Sequence, residues 1–236
     1  MVQIQSTVES KKMSKQLNQP KQERTQKRME QVLKSTEELL LMVGLEKFSI
    51  PEVANVSGVP RASIYQFFPT KYDLLRHIAL QHLNELMTQL KTVALQVIMS
   101  NPNESITTYG RLVTAAMIET TAKFYNQSEI ASLLILSGPL TPQSYVEYQI
   151  ELRKVSSGIR NALTAIQVDT YVPLNPDSLT ILIEVVFTCM KHGFYTESYI
   201  SKEICQEAYR IAMSYLTALK NDSFQLDINS KKCDLG

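Results

Sequence analysis

Few of the residues on which catalytic and metal sites depend occur in this sequence. Its 236 residues include no tryptophan, three cysteines and three histidines. The cysteines are odd in number and form no Cys-x-x-Cys pair, which argues against a disulfide framework and against a structural zinc site. We therefore expect Cys189 and Cys205 to pack on helices, and we predict neither a metal nor a cofactor.

Several functional motifs are also missing. The sequence has no glycine-rich phosphate loop, no His-Glu-x-x-His pattern and no cysteine–histidine nucleophile pair, so an enzyme is not expected. No apolar run approaches the roughly 18–20 residues that a membrane span needs. The N-terminus is polar and lacks the apolar segment of a secretory signal. The expected location is the cytoplasm.

The charge is small overall but unevenly distributed. The net charge is +1, yet residues 1–76 carry 12 Lys and Arg against 8 Asp and Glu, whereas residues 77–236 carry 12 against 15. A basic N-terminal third on an acidic remainder is typical of a polyanion-binding unit attached to a body with another task. The charge bias is modest, so it supports a polyanion-binding role only if the basic N-terminal third also contains a nucleic-acid-binding motif.

Apolar residues recur at steps of three and four along most of the chain, which predicts an all-α protein. The first helix is expected from Glu23 to a stop at Gly44. The patterns Ser49-x-x-Glu52 and Thr70-x-x-Asp73 predict capping boxes at two helix starts. No segment shows the sustained period of two that a half-buried strand needs. Beyond residue 101, helices are predicted near residues 104–125, 128–137, 142–167, 177–198 and 201–220.

Two short helices are predicted between Ser49 and Phe68, separated by residues 57–59. Gly58 permits a sharp turn because glycine adopts a positive φ at little cost. Val53 and Ile64 can fix the angle between the helices, which have the size and spacing of a helix-turn-helix. Any all-helical protein contains short helix pairs, however, so spacing alone leaves a purely structural role open.

The second short helix would expose side chains suited to DNA. Polar side chains on such a face hydrogen-bond base edges in a major groove, and hydroxyls, lysines and helix N-termini hold phosphates. On this basis Arg61, Ser63 and Gln66 are predicted to face bases, and Tyr65, Thr70 and Lys71 are predicted to lie near the backbone.

Three stretches make the pattern more specific. They are residues 48–54 (FSIPEVA), 57–59 (SGV) and 63–75 (SIYQFFPTKYDLL). Together they resemble the N-terminal domain of the TetR family of bacterial transcriptional regulators, over roughly residues 27–80. The resemblance implies a set of DNA-contacting positions. These are Ser49, Ile50, Arg61, Ala62, Ser63, Tyr65, Gln66, Phe67, Thr70 and Lys71.

Two positions depart from the pattern of the family. Pro60 replaces the Ser or Thr that usually caps the recognition helix, so the start of that helix is in doubt. Phe67 replaces a frequent Tyr, which removes a hydroxyl that could bind phosphate.

The resemblance also implies an architecture. A helix-turn-helix DNA-binding domain of residues 23–75 would be joined by a long helix to a helical ligand-binding and dimerisation domain of residues 76–220. The flanking segments, residues 1–22 and 221–236, are predicted to be disordered, the first of them basic. Two reader domains related by a two-fold axis would recognise a palindromic operator.

Dimerisation in this family typically uses the last two helices of each subunit, which form a four-helix bundle. Apolar residues at helical spacing suit this role, although some of them must belong to the core of a single chain. The predicted interface residues are Leu182, Val185, Val186, Cys189, Phe194, Ile211, Tyr215 and Leu216.

The middle helices of the resembled family enclose a ligand pocket. Aromatic, methionine and threonine side chains of the corresponding segments suit a small apolar or aromatic effector, although such stripes are also common in plain cores. The predicted lining is Tyr109, Met117, Thr121, Phe124, Tyr145, Tyr148 and Phe187. Glu119, Glu147 and Glu184 are the carboxylates nearest to it, although a solvated helix face is the favoured interpretation of each.

The function predicted on these grounds is a ligand-responsive transcriptional repressor that binds DNA as a homodimer. The alternative is a DNA-binding adaptor whose helical body recruits a protein partner instead of a small molecule. The two differ in what the body contains, since a ligand site needs a cavity.

Overall fold

The computed structural model describes residues 3–101, 104–136, 142–165 and 172–221. Within these ranges the chain forms helices and short connections and no β-strand, which confirms the predicted all-α class. The helices are α1 (Gln3–Lys47), α2 (Ile50–Ser57), α3 (Arg61–Phe67), α4 (Lys71–Ser100), α5 (Ile106–Gln127), α6 (Glu129–Ala131), α7 (Pro142–Ala165), α8 (Ser178–Glu197) and α9 (Lys202–Asn221).

The helix ends follow local signals in the sequence. Ser105, Ser128 and Asp177 each accept a backbone N–H of the helix that follows, as N-cap side chains do. Gly44 interrupts α1 with a φ of 76°, at the stop that the sequence predicts. Residues 166 and 167 of one predicted helix and residues 222–236 of the predicted C-terminal tail lie outside the described residues.

Two stretches differ from the sequence prediction. The backbone is helical from Gln3, where the sequence predicts a disordered tail through residue 22. Glutamine, lysine, glutamate and methionine are good helix formers, and a helix already nucleated extends at little cost. In addition, residues Ser132–Leu136 form a π-helical segment after α6. The Ser132 hydroxyl there donates to the Tyr125 carbonyl at 2.8 Å.

The chain divides into two compact units, Met1–Leu80 and Gln81–Gly236, with the boundary inside α4. The first unit packs α1, α2, α3 and the start of α4 around an apolar core. Thr36 lies in this core and donates its hydroxyl to the Val32 carbonyl at 2.7 Å, so the polar group of this side chain is satisfied. The core side chains include Val32, Leu40, Phe48, Val53, Ile64, Leu74 and Ile78.

The second unit contains a longer core in which α8 packs against α7, α9 and the π-helical segment, and α5 packs against α9. Asn126, in the last turn of α5, exchanges two hydrogen bonds with the backbone of Ile200 at 2.9 and 2.8 Å. This pair fixes the turn between α8 and α9 to the end of α5. The core side chains include Ile118, Tyr125, Leu136, Leu152, Val155, Phe187 and Met190.

Candidate nucleic-acid interface and body cavity

The turn between α2 and α3 has the geometry that the sequence predicts. Gly58 adopts a φ of 68°, and its N–H donates to the Ala54 carbonyl at 3.1 Å. Such a left-handed conformation strains any residue with a Cβ atom. Val53 and Ile64 are fully buried on either side of the turn. The angle between the two helices is therefore set by the backbone and by the core together.

The start of α2 departs from the predicted capping box. The Ser49 hydroxyl makes no hydrogen bond to the backbone of the helix and instead donates to the Glu52 carboxylate at 2.8 Å. A bond to a charged carboxylate is stronger than one to a neutral amide, which favours this arrangement. Ile50 is 3% exposed as a residue, so its side chain packs in the core and could not itself contact DNA.

The α3 helix begins at Arg61, and Pro60 gives it no side-chain cap, as the departure from the family pattern predicts. Its outward face consists of Arg61, Ala62, Tyr65 and Gln66, which are all exposed. Ser63 and Phe67 are half-buried at the edges of this face. The predicted base-reading residues therefore share one accessible surface, with Ser63 the most enclosed of the three.

The start of α4 forms the capping box that the sequence predicts. The Thr70 backbone N–H donates to the Asp73 carboxylate at 3.0 Å, and the Asp73 N–H donates to the Thr70 hydroxyl at 3.2 Å. Lys71 follows, half-buried, with its ammonium 3.5 Å from the Phe48 carbonyl and 5.6 Å from the centre of the Tyr72 ring. Lys71 thus links the start of α4 to the entry of α2, in addition to its predicted role at phosphate.

A cationic group on α1 was not among the predicted DNA contacts. Arg24, Lys27 and Arg28 are all exposed. Residues at spacings of three and four share one face of a helix, so these cations form a single positive stripe. Spacing in the sequence would have been enough to detect it.

A cavity of about 120 Å³ lies in the body between the π-helical segment, α7 and α8. Of the predicted ligand residues, Tyr148 and Phe187 line it, and Glu184 proves to be a lining residue rather than part of a solvated face. Gln149 donates a hydrogen bond to the Glu184 carboxylate. The described lining residues are Ile135, Leu136, Tyr148, Glu184, Phe187, Thr188 and Lys191.

The tyrosine hydroxyls around the cavity are held in their neutral form. Burial, followed by the nearby charges of Glu184 and Tyr145, raises the pKa of Tyr148. Burial, followed by Tyr148, also raises the pKa of Tyr125, which the sequence did not single out. The Tyr125 hydroxyl is buried without a hydrogen-bond partner in the described part of the chain. Its ring lies edge-on to that of Phe187, with the centroids 6.2 Å apart.

The other predicted ligand residues lie elsewhere in the body. The Tyr109 hydroxyl donates to the Asn101 carbonyl at 2.7 Å, and the Thr121 hydroxyl donates to the Met117 carbonyl at 2.8 Å. Both hydroxyls therefore already have structural partners. Phe124 is buried in the core and Tyr145 is about half exposed. None of these residues lines the cavity beside Tyr148.

The predicted dimer residues separate into two groups. Leu182 is 6% exposed and belongs to the core of its own chain. Ile211 is 41% exposed, and the others, Val185, Val186, Cys189, Phe194, Tyr215 and Leu216, are partly exposed. Burial raises the pKa of both Cys189 and Cys205, so these residues remain thiols, as expected of packed cysteines.

The described ranges contain neither a metal-ion cluster nor a membrane-spanning helix. No group of three or more His, Cys, Asp or Glu side chains there is placed to hold a metal ion. No helix in the same ranges is long and apolar enough to cross a membrane.

The sequence and the fold were compared with known proteins. Residues 32–78 match the profile of the bacterial regulatory proteins of the tetR family. No curated protein matched the sequence. Among solved structures, a TetR-family transcriptional regulator from Streptomyces coelicolor superposes with a TM-score of 0.59 at 17% identity, covering 81% of this chain and 99% of that one. A putative TetR-family regulator from Syntrophomonas wolfei gives 0.57 at 15% identity, covering 86% and 99%.

A third similar structure is the complex of RolR with resorcinol, with a TM-score of 0.56 at 12% identity, covering 86% of this chain and 97% of that one. At such identities the structural matches show that the fold is shared. The profile match covers the turn, the exposed α3 face and the capped start of α4. Residues 32–78 are accordingly similar to the N-terminal region of the tetR family, and the chain shares its fold with solved TetR-family regulators.

Proposed function

We propose that this protein is a ligand-responsive repressor that binds a palindromic operator as a homodimer. The observation that carries the proposal is the α3 surface. Arg61 and Gln66 are exposed on one face of this helix, while Ile64 holds its other face in the core. Both side chains can donate to base acceptors in a major groove, and the arginine fork suits guanine.

Around the exposed face of α3, helix N-termini and cationic side chains supply the phosphate contacts. The start of α2 at Ile50, the start of α4 at Lys71 and the positive stripe of Arg24, Lys27 and Arg28 are the candidates. Phosphate contacts position a protein on the duplex without reading its sequence. We therefore assign recognition of the base sequence to α3, and sequence-independent affinity for DNA to the phosphate contacts around it.

Dimerisation is supported by the apolar groups that α8 and α9 leave exposed. Ile181 on α8 and Ile211 on α9 are 39% and 41% exposed, and partly exposed Val185, Cys189 and Tyr215 accompany them. Helical spacing puts Ile181 and Val185 on one face of α8, and Ile211 and Tyr215 on one face of α9. A second copy that covers both faces would complete a four-helix arrangement and bring two readers to one operator.

Ligand response is supported by the cavity beside Tyr148 and Phe187. The structurally similar RolR has been solved with resorcinol, so this fold can hold a small molecule. Because α4 belongs to both units, an effector that favours a different packing of the body can alter the reader through this helix. A coupling of about 1–3 kcal/mol would change operator affinity roughly 5- to 150-fold.

The test is fluorescence anisotropy on the promoter next to the gene for this protein, at matched salt. A palindromic site should bind far more tightly than random DNA. Arg61→Ala should reduce the discrimination between bases at one position of the operator. It should weaken the binding free energy for the operator by about 1–3 kcal/mol and change the affinity for random DNA little. Lys71→Ala should instead weaken all sequences about equally and flatten the salt dependence.

Arg111→Ala, which removes an exposed arginine from α5 in the body, is the matched control and should leave operator binding unchanged. If a palindrome binds no better than random DNA, sequence-specific regulation is wrong. If Arg61→Ala weakens all sequences alike, the assignment of base reading to this residue is wrong.

An adaptor that recruits a protein partner is the second candidate. An open groove of about 860 Å³ between α5 and α9 favours it. Tyr209 and Arg210 line this groove, whereas Ile211 lies on the opposite face of α9, so a partner could bind without breaking the dimer. Release of operator DNA by a small molecule alone would decide against the adaptor.

A further inference from the structure

We infer that the cavity between the π-helical segment, α7 and α8 binds a neutral single-ring aromatic compound that carries a hydroxyl group. The inference rests on the proposed ligand-responsive function and assigns a chemical class to its effector. The cavity size, the apolar wall, the charge balance and the hydrogen-bonding groups each restrict that class.

The size of the cavity favours a small ligand. The cavity holds about 120 Å³, whereas an apolar protein cavity of about 150 Å³ is known to hold benzene. A single ring with one small substituent is therefore the ligand size that this space favours, and a fused bicyclic compound would extend beyond it.

The wall favours an aromatic ring over a sugar or a peptide. Ile135, Leu136 and Phe187 supply its apolar part, and the Tyr125 ring lies edge-on to that of Phe187. Apolar walls bind the ring through burial of its surface, and an aromatic neighbour adds an edge-to-face contact.

The charges in the lining favour a neutral ligand. Glu184 and Lys191 contribute one negative and one positive charge, so the pair offers no net attraction to an ion. A carboxylate ligand would be attracted by Lys191 and repelled by Glu184, so the two interactions oppose each other. An ammonium ligand would be attracted by Glu184 and repelled by Lys191, and either ion would also lose hydration on entry.

The polar groups define a donor-and-acceptor pair for a hydroxyl. Glu184 can only accept hydrogen bonds, and it already accepts one from the neutral amide of Gln149. Tyr148 keeps its proton, because burial and Glu184 raise the pKa of its hydroxyl. A ligand hydroxyl can therefore donate to Glu184 and accept from Tyr148, which a hydrocarbon ring cannot do.

A neighbouring cleft offers a route of entry. Glu184 and Gln149 also line a cleft of about 550 Å³ between α7 and the start of α8. Their hydrogen bond thus lies between the cleft and the cavity. A ligand that arrives through the cleft meets the Glu184 carboxylate first and can replace the amide of Gln149 with its own hydroxyl.

The experiment is calorimetric titration of the full chain with phenol, toluene, benzoate, benzylamine and 1-naphthol at neutral pH. Phenol should bind most tightly. Toluene should bind about tenfold more weakly, because it lacks the hydroxyl that gains one net hydrogen bond. Benzoate, benzylamine and 1-naphthol should bind more weakly than phenol as well.

Tyr148→Phe removes one hydroxyl at constant ring volume and should weaken phenol about tenfold while leaving toluene unchanged. Tyr195→Phe is the matched control on α8, since Tyr195 is 57% exposed and outside the cavity lining, and it should change neither affinity. The ligand series on the unsubstituted protein serves as a second measurement if Tyr148→Phe does not fold.

Absence of phenol binding, or equal affinity for phenol and toluene, overturns the assigned ligand class. Operator binding is measured separately by anisotropy without ligand. Specific operator binding without phenol binding therefore refutes only this inference, whereas absence of any preferred operator refutes the proposed function on which it rests.

Discussion

At the scale of single residues, Asp177 shows how one side chain can serve several partners. Its carboxylate caps α8 by accepting from the Thr180 N–H at 3.3 Å and the Thr180 hydroxyl at 2.6 Å. It also accepts from the Ser156 hydroxyl on α7 at 3.1 Å, and an Arg160 nitrogen lies 3.7 Å away. Asp177 therefore joins the start of α8 to α7.

These contacts set the ionisation of Asp177. Burial by itself would raise its pKa, but the hydrogen bonds from Thr180 and Ser156 and the charge of Arg160 outweigh burial and lower it. A carboxyl whose pKa is lower in the folded than in the unfolded protein stabilises the fold above its unfolded pKa. That contribution is lost as the pH falls through the lowered value.

We expect Asp177→Asn to reduce the free energy of unfolding by about 1 kcal/mol at pH 7, the usual worth of a cap with its hydrogen bonds. The difference from the unsubstituted protein should shrink as the pH falls below about 4, near the unfolded pKa of an aspartate. Urea unfolding between pH 7 and pH 3 measures it. Glu203→Gln, at the exposed start of α9, should show no such convergence. A constant difference down to pH 3 would contradict the assigned role.

The sequence predicted the hydrogen bonds of one of its two capping-box patterns correctly. Thr70 and Asp73 cap α4 as expected. Ser49 and Glu52 have the same spacing and do not form the same bonds. The choice between a backbone N–H and a carboxylate as partner depends on side-chain rotamers, which the spacing does not define.

At the scale of elements, the close approach of α8 and α9 depends on Gly193. A Cβ atom at this position would lie 3.2 Å from Ile204 Cγ1 and 3.3 Å from the Tyr199 carbonyl oxygen. The Tyr199 backbone has little freedom to move, because Asn126 holds the adjacent Ile200 at both its N–H and its carbonyl. Overpacking there should outweigh the gain in helix propensity.

Gly193→Ala should therefore lower the free energy of unfolding by about 1 kcal/mol, as the balance of an overpacking cost of roughly 1–3 kcal/mol and a propensity gain of about 1 kcal/mol. Gly158→Ala on α7 is the control. No neighbour lies within 4 Å of its added Cβ, so it should stabilise by about 1 kcal/mol. Chemical denaturation of both variants gives the comparison, and equal effects of the two substitutions would show that the α8–α9 approach is not tight.

At the scale of the whole molecule, the proposed dimer is based on the apolar side chains that α8 and α9 leave exposed. Ile211→Glu would place an unpaired charge in the centre of the proposed interface, which is strongly unfavourable. We expect this variant to sediment as a monomer at micromolar concentration and to lose most of its operator affinity, with its helical circular dichroism retained.

Leu112→Glu is the matched control for this prediction. Leu112 is 37% exposed on α5, and the charge placed there should leave both the sedimentation behaviour and the operator affinity unchanged. A dimer that survives Ile211→Glu would exclude this face as the interface.

The sequence by itself determined the all-α class, the helix-turn-helix between Ser49 and Phe68 and the resemblance to the TetR family. These rest on local interactions: apolar periodicity, the positive φ of Gly58 and the Thr70–Asp73 cap act between residues close in the chain. Tertiary structure alone decided that Leu182 belongs to the core, that Tyr125 is buried beside Phe187 and that Gln149 meets Glu184. These contacts join residues 35 or more positions apart in two of the three cases, and which helix faces meet depends on how all side chains pack at once.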